Sequence, residues 1–208
     1  MNRTVICISH ATGAGGTELG RVVADKLGFR LVDEEIVTRA AENQNVTAKD
    51  LADVERRKSL LNRILRDVAI GAATGPSMFV TAYAAEPQPA TNSLRALITQ
   101  SINETADEGN VVIVSHAASY ALAGRGNVLR VLVTATPGIR VRRLVEVNGL
   151  DEKQATKSID ANDAGRSDYL RRFYGIAQEL PTHYDLVLNT DVVPAEKWCD
   201  IVVNATTL

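Results

Sequence analysis

An apolar strand, a glycine-rich turn and a helix follow one another directly in residues 4–28. The run Thr-Val-Ile-Cys-Ile at 4–8 is continuously apolar and mostly β-branched, as in strands that are buried on both faces of a parallel sheet. The turn contains Gly13, Gly15 and Gly16, and the apolar residues after it recur at helical spacing. This order predicts an α/β fold in which a ligand lies beyond the end of the first strand.

Four further apolar strand patterns alternate with helical patterns along the chain, at residues 29–32, 111–114, 128–133 and 184–188. Strands that alternate with helices pair in parallel through right-handed crossovers. We therefore predict one domain over residues 1–208, with a three-layer α/β/α fold around a five-stranded parallel sheet.

Two segments do not follow this alternation. Residues 34–91 combine an amphipathic helical pattern with a stretch rich in Ala, Gly, Pro and Thr, which predicts an excursion from the core. Residues 151–172 form a helical pattern too polar to bury much surface. Such a composition suits a lid that swings over a ligand, although a merely solvated helix would have the same pattern.

The overall charge of the chain is close to neutral. Lys and Arg number 23 against 25 for Asp and Glu, so the net charge of −2 gives no field that would attract DNA or an anionic membrane. Any recognition of phosphate must then come from a local group of residues and not from the overall charge. Cys7 and Cys199 have no Cys or His neighbours at metal-ligand spacing and are predicted to be reduced packing residues. We expect a cytoplasmic protein that does not bind nucleic acid or membranes. The sequence leaves open whether it forms a homodimer.

The glycine-rich turn can be compared with the phosphate-binding pattern G-x-x-x-x-G-K-[ST]. Its four signature positions are occupied in turn by His10, Gly15, Gly16 and Thr17. Backbone N–H groups and the helix dipole would favour a phosphate here, whereas the alternative is a tight turn that needs glycine only for packing. The missing lysine removes a main stabiliser of phosphoryl transfer. Thr17 could still hold Mg²⁺, and the negative charge of Glu18 suits a metal or the helix N-terminus.

With these features the chain resembles the cytidylate kinase-like family, relatives of the bacterial CMP kinases, from residue 4 to about residue 204. The segments that carry the resemblance are 8–10, 13–19, 24–28, 32–33, 112–114, 140–143, 163–166 and 184–190. In that family the loop usually lacks the lysine, so Gly16 agrees with it. The resemblance implies a P-loop kinase sheet of order 2-3-1-4-5, an acceptor-binding insertion at 34–91 and a lid at 151–172.

The resemblance also implies a role for each matching residue, with ATP and Mg²⁺ as the cofactors and small nucleotides as the partners. The donor would be bound by Gly13, Ala14, Gly15, Gly16, Thr17 and Glu18, with Mg²⁺ on Thr17. The catalytic lid residues would be Arg140, Arg143, Asp163 and Arg166, with Asp163 and Arg166 as the acidic and basic pair that closes over the nucleotide. The acceptor would be bound by His10, Asp33, Arg39 and His116.

The two arginines at 140 and 143 have independent support from their spacing. They lie one helical turn apart and face the same way, so both guanidinium groups can converge on one polyphosphate. The alternative is a solvated basic face of a helix.

Two histidines depart from the family pattern. Relatives typically have Ser-Arg after the first strand and an arginine after the third, where this chain has His10 and His116. Histidine is mostly neutral at pH 7, so binding of the acceptor phosphate should be weaker or pH-sensitive. A metal site formed by His10, His116 and Asp33 is the alternative.

The leading hypothesis for function is ATP-dependent phosphorylation of a CMP-like nucleoside monophosphate or a related small acceptor. The missing lysine motivates a second hypothesis, a non-catalytic nucleotide-binding or sensing protein on the same fold. A third is a kinase for a non-nucleotide acceptor, which the sequence Asp33-Glu34-Glu35 would permit. A turnover assay with ATP and a panel of nucleoside monophosphates separates the first two hypotheses.

Overall fold

The structure is a computed structural model that describes residues 3–33, 88–114 and 117–207. Its strands are β1 Val5–His10, β2 Arg30–Val32, β3 Val111–Val114, β4 Val128–Thr134 and β5 Leu186–Asn189. Its helices are α1 Gly16–Leu27, α2 Gln88–Glu108, α3 Ala118–Ala121, α4 Pro137–Asn148, α5 Glu152–Tyr174 and α6 Ala195–Ala205, and Pro181–His183 form a 3₁₀ turn. The predicted excursion lies outside the described residues, apart from positions 88–91, which belong to α2.

The five strands form one sheet in the order β2-β3-β1-β4-β5, and every pair of neighbours is parallel. This confirms the predicted sheet and its order. Strand β1 lies at the centre, where Ile8 pairs with Val114 on one side and Val131 on the other. Because both of its neighbours are also parallel, the carboxyl end of β1 opens at the middle of one sheet edge, and the glycine-rich turn begins there.

Helices cover both faces of the sheet. Leu19 and Val23 of α1 and Val202 of α6 pack on one face, whereas Ile98 and Ile102 of α2 pack on the other. These three layers confirm the predicted α/β/α architecture and explain why β1 is apolar from Val5 to Ile8. Among its buried residues, Cys7 is 1% exposed, and burial raises the pKa of its thiol to about 12, so it stays a neutral packing residue.

Helix α5 corresponds to the polar segment at 151–172 and begins with a capping box. The Asp151 carboxylate accepts a hydrogen bond from the Gln154 backbone N–H at 2.7 Å, and the Gln154 side chain accepts one from the Asp151 backbone N–H. The carboxyl end of the helix buries more than its composition suggested, because Leu170 and Phe173 join an apolar cluster with Ala117. The helix is therefore anchored in the core at one end. In the described parts of the chain, no helix is both long enough and apolar enough to span a membrane.

Candidate functional site

The turn after β1 has a backbone conformation that requires glycine. Gly13 and Gly15 have φ angles of 81° and 88°, in the left-handed region that other residues rarely adopt. Space is also restricted, since a Cβ on Gly13 would lie 2.8 Å from the carbonyl oxygen of Arg140 and one on Gly15 would lie 2.8 Å from the Trp198 ring. Packing therefore accounts for two of the glycines, whatever ligand the turn binds.

Helix α1 begins directly at Gly16, and no side chain caps its first turn. The first N–H groups of a helix have no acceptor within the helix, and the helix dipole makes this end positive. A phosphate group suits both properties. The described Thr17 is the first residue of this turn that carries a hydroxyl group, and it lines the adjoining cavity together with Gly15 and Gly16.

Arg140 of α4 binds the backbone of the glycine turn. Its Nε donates to the carbonyl oxygen of Thr12 at 2.6 Å, and its two terminal nitrogens donate to both carboxylate oxygens of Asp163 on α5 at 2.8 and 2.7 Å. Arg140 is only 6% exposed. The structure thus pairs Asp163 with Arg140 across two helices, whereas the resemblance paired it with Arg166. Direct contact of Arg140 with a polyphosphate stays a prediction.

Arg143 holds the next part of the same turn. Its Nη1 donates to the carbonyl oxygen of Ala14 at 3.2 Å and to Thr190 Oγ1 at 2.8 Å, and its Nη2 donates to the carbonyl oxygen of Thr190 at 2.9 Å. Because the contact of Arg143 with the turn uses the carbonyl oxygen of Ala14, it fixes the backbone of the turn without occupying its N–H groups. Arg143 also lines the cavity beside the turn, and its predicted contact with a phosphate stays a prediction.

Two further residues that support the turn were missed in the sequence reading. Trp198 of α6 packs against Gly15, and its Nε1 donates to the carbonyl oxygen of Val193 at 2.6 Å. The Thr190 hydroxyl donates to the carbonyl oxygen of Ala14 at 3.0 Å. A pattern of local spacing cannot reveal these contacts, because the partners lie far apart in the chain. The one available signal was a single tryptophan on an amphipathic helix.

His10 ends β1 and lies beside the start of α1. Its Nδ1 is 3.3 Å from the carbonyl oxygen of Ala11, and its Nε2 is 3.5 Å from Thr17 Oγ1. Burial lowers the pKa of His10 below its ordinary value, and the positive charge of Arg166 acts in the same direction. The hydrogen bond to Ala11 and the negative charge of Asp33 oppose this shift without cancelling it. The imidazole is therefore neutral at pH 7.

Arg166 of α5 is held by a carboxylate in the loop that follows the helix. Its Nε and Nη2 donate to the two carboxylate oxygens of Glu179 at 2.9 and 2.6 Å, and the Tyr184 hydroxyl also donates to Glu179. Burial acts to raise the pKa of Glu179, but the hydrogen bond and charge of Arg166 outweigh it and hold the pKa below its ordinary value. The positive charge of Arg166 is therefore balanced by the Glu179 carboxylate in this arrangement.

Two cavities adjoin these residues. One of about 440 Å³ lies over the start of α1 and is lined by His10, Gly15, Gly16, Thr17, Arg143 and Trp198, among others. Another of about 270 Å³ lies between α5 and the sheet, where Asp163, Arg166 and Glu179 contribute charged groups. The end of the central strand contributes to both cavities, since His10 lines the first and Ala11, the next residue, lines the second.

The remaining predicted site residues are distributed as follows. Ala14 is fully buried and contributes its carbonyl oxygen to the anchors of the turn. Glu18 forms an exposed ion pair with Arg21 at 2.6 Å. Asp33 follows β2, and its charge acts on His10. Arg39 and His116 lie outside the described residues. Across the described ranges, no group of three or more His, Cys, Asp or Glu side chains could hold a metal ion.

Comparisons with known protein sequences give one consistent result. A family model described as the cytidylate kinase-like family matches residues 5–192. Over 198 residues the chain is 24% identical to a cytidylate kinase of Staphylothermus marinus, and the alignment covers 95% of this chain and 93% of that protein.

Solved structures with the same fold have lower sequence identity. An uncharacterized protein from Eubacterium ventriosum superposes with a TM-score of 0.68 at 15% identity, covering 98% of both chains. A shikimate kinase from Bacteroides thetaiotaomicron superposes with a TM-score of 0.52 at 16% identity, covering 99% of both. At such identities the superpositions are evidence for the fold alone.

Proposed function

Because the chain belongs to the cytidylate kinase-like family, we propose that it is a nucleotide-dependent phosphotransferase that moves the γ-phosphoryl group of ATP to a CMP-like nucleoside monophosphate. The observation that carries the proposal is the glycine turn at the end of the central strand, which opens α1 beside a cavity of about 440 Å³. The nearly full-length similarity to a cytidylate kinase supports the acceptor class.

The donor triphosphate would lie against the start of α1. The first N–H groups of the helix and the dipole offer hydrogen bonds and positive potential to phosphate oxygens. Thr17 Oγ1 is a hard oxygen of the kind that Mg²⁺ takes, and in nucleotide sites phosphate oxygens and waters usually complete its coordination. The residues present therefore fit this ion, which would neutralise part of the phosphate charge when bound.

In the proposed reaction an oxygen of the acceptor phosphate attacks the γ-phosphorus of ATP. The bond from that phosphorus to the β–γ bridging oxygen breaks, so ADP leaves and a nucleoside diphosphate forms. Catalysis of such a transfer consists largely of positioning and charge stabilisation. With Gly16 at the lysine position, the positive charge must come from other groups. Arg166 lines the 270 Å³ cavity, and its positive charge acts on His10 by lowering the pKa of the imidazole.

The arginines have two different roles in this proposal. Arg140 and Arg143 orient the glycine turn by holding its carbonyl oxygens. Arg166 would contact the transferred group after exchanging Glu179 for phosphate oxygens, which offer the same bidentate geometry as a carboxylate. Asp33, Arg39 and His116 keep the acceptor-binding role that the resemblance implied.

The experiment is an assay of phosphoryl transfer by the full chain with ATP, Mg²⁺ and each of CMP, dCMP, UMP, AMP and GMP, with nucleoside diphosphate measured by anion-exchange chromatography. We expect CDP from CMP, and a reduction of roughly tenfold or more for Thr17→Ala. Thr207→Ala, which removes an exposed threonine near the end of α6, is the matched control and should keep full activity. If the chain binds ATP but phosphorylates none of these acceptors, the non-catalytic hypothesis replaces this one.

A further inference from the structure

The space beside the first turn of α1 is filled by the His10 side chain. A Cβ built on Gly16 would lie 2.3 Å from His10 Cβ and 2.4 Å from His10 Cγ, far inside the contact distance of two carbon atoms. The clashing atoms are next to the backbone, so rotation at the far end of the ring cannot relieve the overlap. Residues 10 and 16 therefore compete for one side-chain volume, and only one of them can fill it.

Residues 10 and 16 correspond to the first and seventh positions of the pattern G-x-x-x-x-G-K-[ST]. That pattern places glycine at its first position and lysine at its seventh, and the lysine reaches the terminal phosphates of the bound nucleotide. The present chain has the opposite arrangement, with His10 at the first position and Gly16 at the seventh. The side chain that enters the space in front of the turn thus comes from the end of β1 rather than from α1.

The surroundings of the ring place it on the donor side of the site. His10 lines the 440 Å³ cavity together with Gly15, Gly16 and Thr17, the residues at the start of α1. Its Nε2 is 3.5 Å from Thr17 Oγ1, on the same turn. A neutral imidazole carries one N–H group, on Nδ1 while it donates to the carbonyl oxygen of Ala11. In the other tautomer this group lies on Nε2, where it can donate to a phosphate oxygen, and the hydrogen bond to Ala11 is lost.

We propose that His10 binds the terminal phosphates of the donor nucleotide, in the place that lysine holds in the P-loop pattern, and not the acceptor phosphate. The identity of the ligand rests on the proposed function, whereas the position of the ring rests on the contacts of Gly16. A neutral donor in this place gives hydrogen bonding without a fixed positive charge. In this proposal His10, at the end of the central strand, contacts the bound ATP.

The first test compares His10→Leu, which keeps bulk without an N–H group, with His10→Gln, which keeps an N–H donor near the position of Nε2. The probe is the non-hydrolysable imido analogue of ATP with Mg²⁺, and its binding is measured by calorimetry and by the fluorescence of Trp198, the single tryptophan, which lies against Gly15. We expect His10→Leu to weaken binding by roughly tenfold or more, and His10→Gln by clearly less. Binding of CMP should not change.

The second test exchanges the two side chains. Gly16→Lys alone should unfold at a lower temperature than the wild type, because its Cβ overlaps His10. His10→Gly with Gly16→Lys should remove the overlap and restore the affinity for the ATP analogue to within a few-fold of the wild type. The matched control, His10→Gly with Gly16→Ala, relieves the same overlap but provides no donor, so it should stay as weak as His10→Leu.

Three outcomes would overturn the proposal. The first is a folded His10→Leu variant that binds the ATP analogue as tightly as the wild type. The second is a variant in which only the affinity for CMP falls, since His10 would then face the acceptor. The third is a His10→Gly, Gly16→Lys variant that binds the ATP analogue no better than the His10→Gly, Gly16→Ala control. If the wild type binds the analogue but transfers no phosphoryl group, the proposed function fails while these affinities still decide the role of His10. If it does not bind the analogue, both proposals fail.

Discussion

The guanidinium group of Arg143 lies over the indole ring of Trp198, with its central carbon 5.3 Å from the ring centroid. The same arginine donates to the backbone of the glycine turn, and the same indole packs against Gly15. A cation over an aromatic face is stabilising, most strongly where water is excluded. One contact therefore couples α4, α6 and the turn between β1 and α1.

We expect Arg143→Lys to destabilise the protein by about 1–3 kcal/mol, because lysine cannot reproduce the planar fork that reaches Ala14 and Thr190 together. Urea unfolding followed by circular dichroism measures the free energy. Arg142→Lys, at an exposed position on the same helix, is the matched control and should change stability by less than about 0.5 kcal/mol. Equal effects at the two positions would contradict the anchoring role of Arg143.

The second prediction concerns Gly15. Its φ angle of 88° and the 2.8 Å approach of the Trp198 ring both oppose a side chain. Gly15→Ala should therefore lower the free energy of unfolding by about 1–3 kcal/mol. Gly138→Ala is the control, since a Cβ at this position in α4 meets nothing within 4 Å. Thermal unfolding should rank the two variants clearly apart, and an unaffected Gly15→Ala variant would show that the Trp198 contact yields at little cost.

A third prediction uses Gly165, which lies within α5 and where an added Cβ would meet nothing within 4 Å. Gly165→Ala should stabilise the protein by about 0.5–1 kcal/mol, because alanine loses less backbone entropy than glycine in a helix. Calorimetric melting measures the gain. Since α5 is the predicted lid, a parallel measurement of ATP turnover tests whether the stiffer helix slows the reaction. A lower melting temperature would contradict the continuous helix.

The fourth prediction is a pH dependence from Glu179. Its pKa is lower in the folded protein than its ordinary value of 4.5, so it contributes stability above about pH 4.5 that is lost as the pH falls through the folded pKa. Glu179→Gln should lower stability at pH 7, because Arg166 keeps no charged partner there, and should flatten the decline below pH 4.5. Unfolding in urea between pH 3 and 7 measures both effects. Glu146→Gln, on an exposed part of α4, should retain the decline.

Much of the fold was predictable because burial on both faces leaves a strong pattern in the sequence. Residues 5–8 of β1 and all of β3 are apolar, and the turn that follows β1 is marked by Gly13 and Gly15. The start of helix α2 at Gln88 was not predicted, since its first residues carry no clear capping signal. The sheet order followed from the resemblance and not from the strand patterns themselves.

The site was harder to predict because side-chain partners are set by packing. Helical spacing correctly placed Arg140 and Arg143 on one helix, but it could not show that the carbonyl oxygens of the turn would occupy them. The choice of Glu179 for Arg166 likewise depends on how the loop after α5 returns to the sheet. A sequence pattern gives the direction of a side chain, whereas its acceptor is determined by the three-dimensional neighbours.

The anchors of the glycine turn also determine when the site can form during synthesis. Thr12 is bound by a side chain 128 positions later, and Ala14 by one 176 positions later. Closing so long a loop is entropically unfavourable, and neither contact can form before its later residue has been synthesised. On the ribosome, the first strand emerges early, but its turn acquires the described geometry only after Thr190 and Trp198 have left the exit tunnel. A nascent chain halted before these residues would therefore expose an unanchored turn.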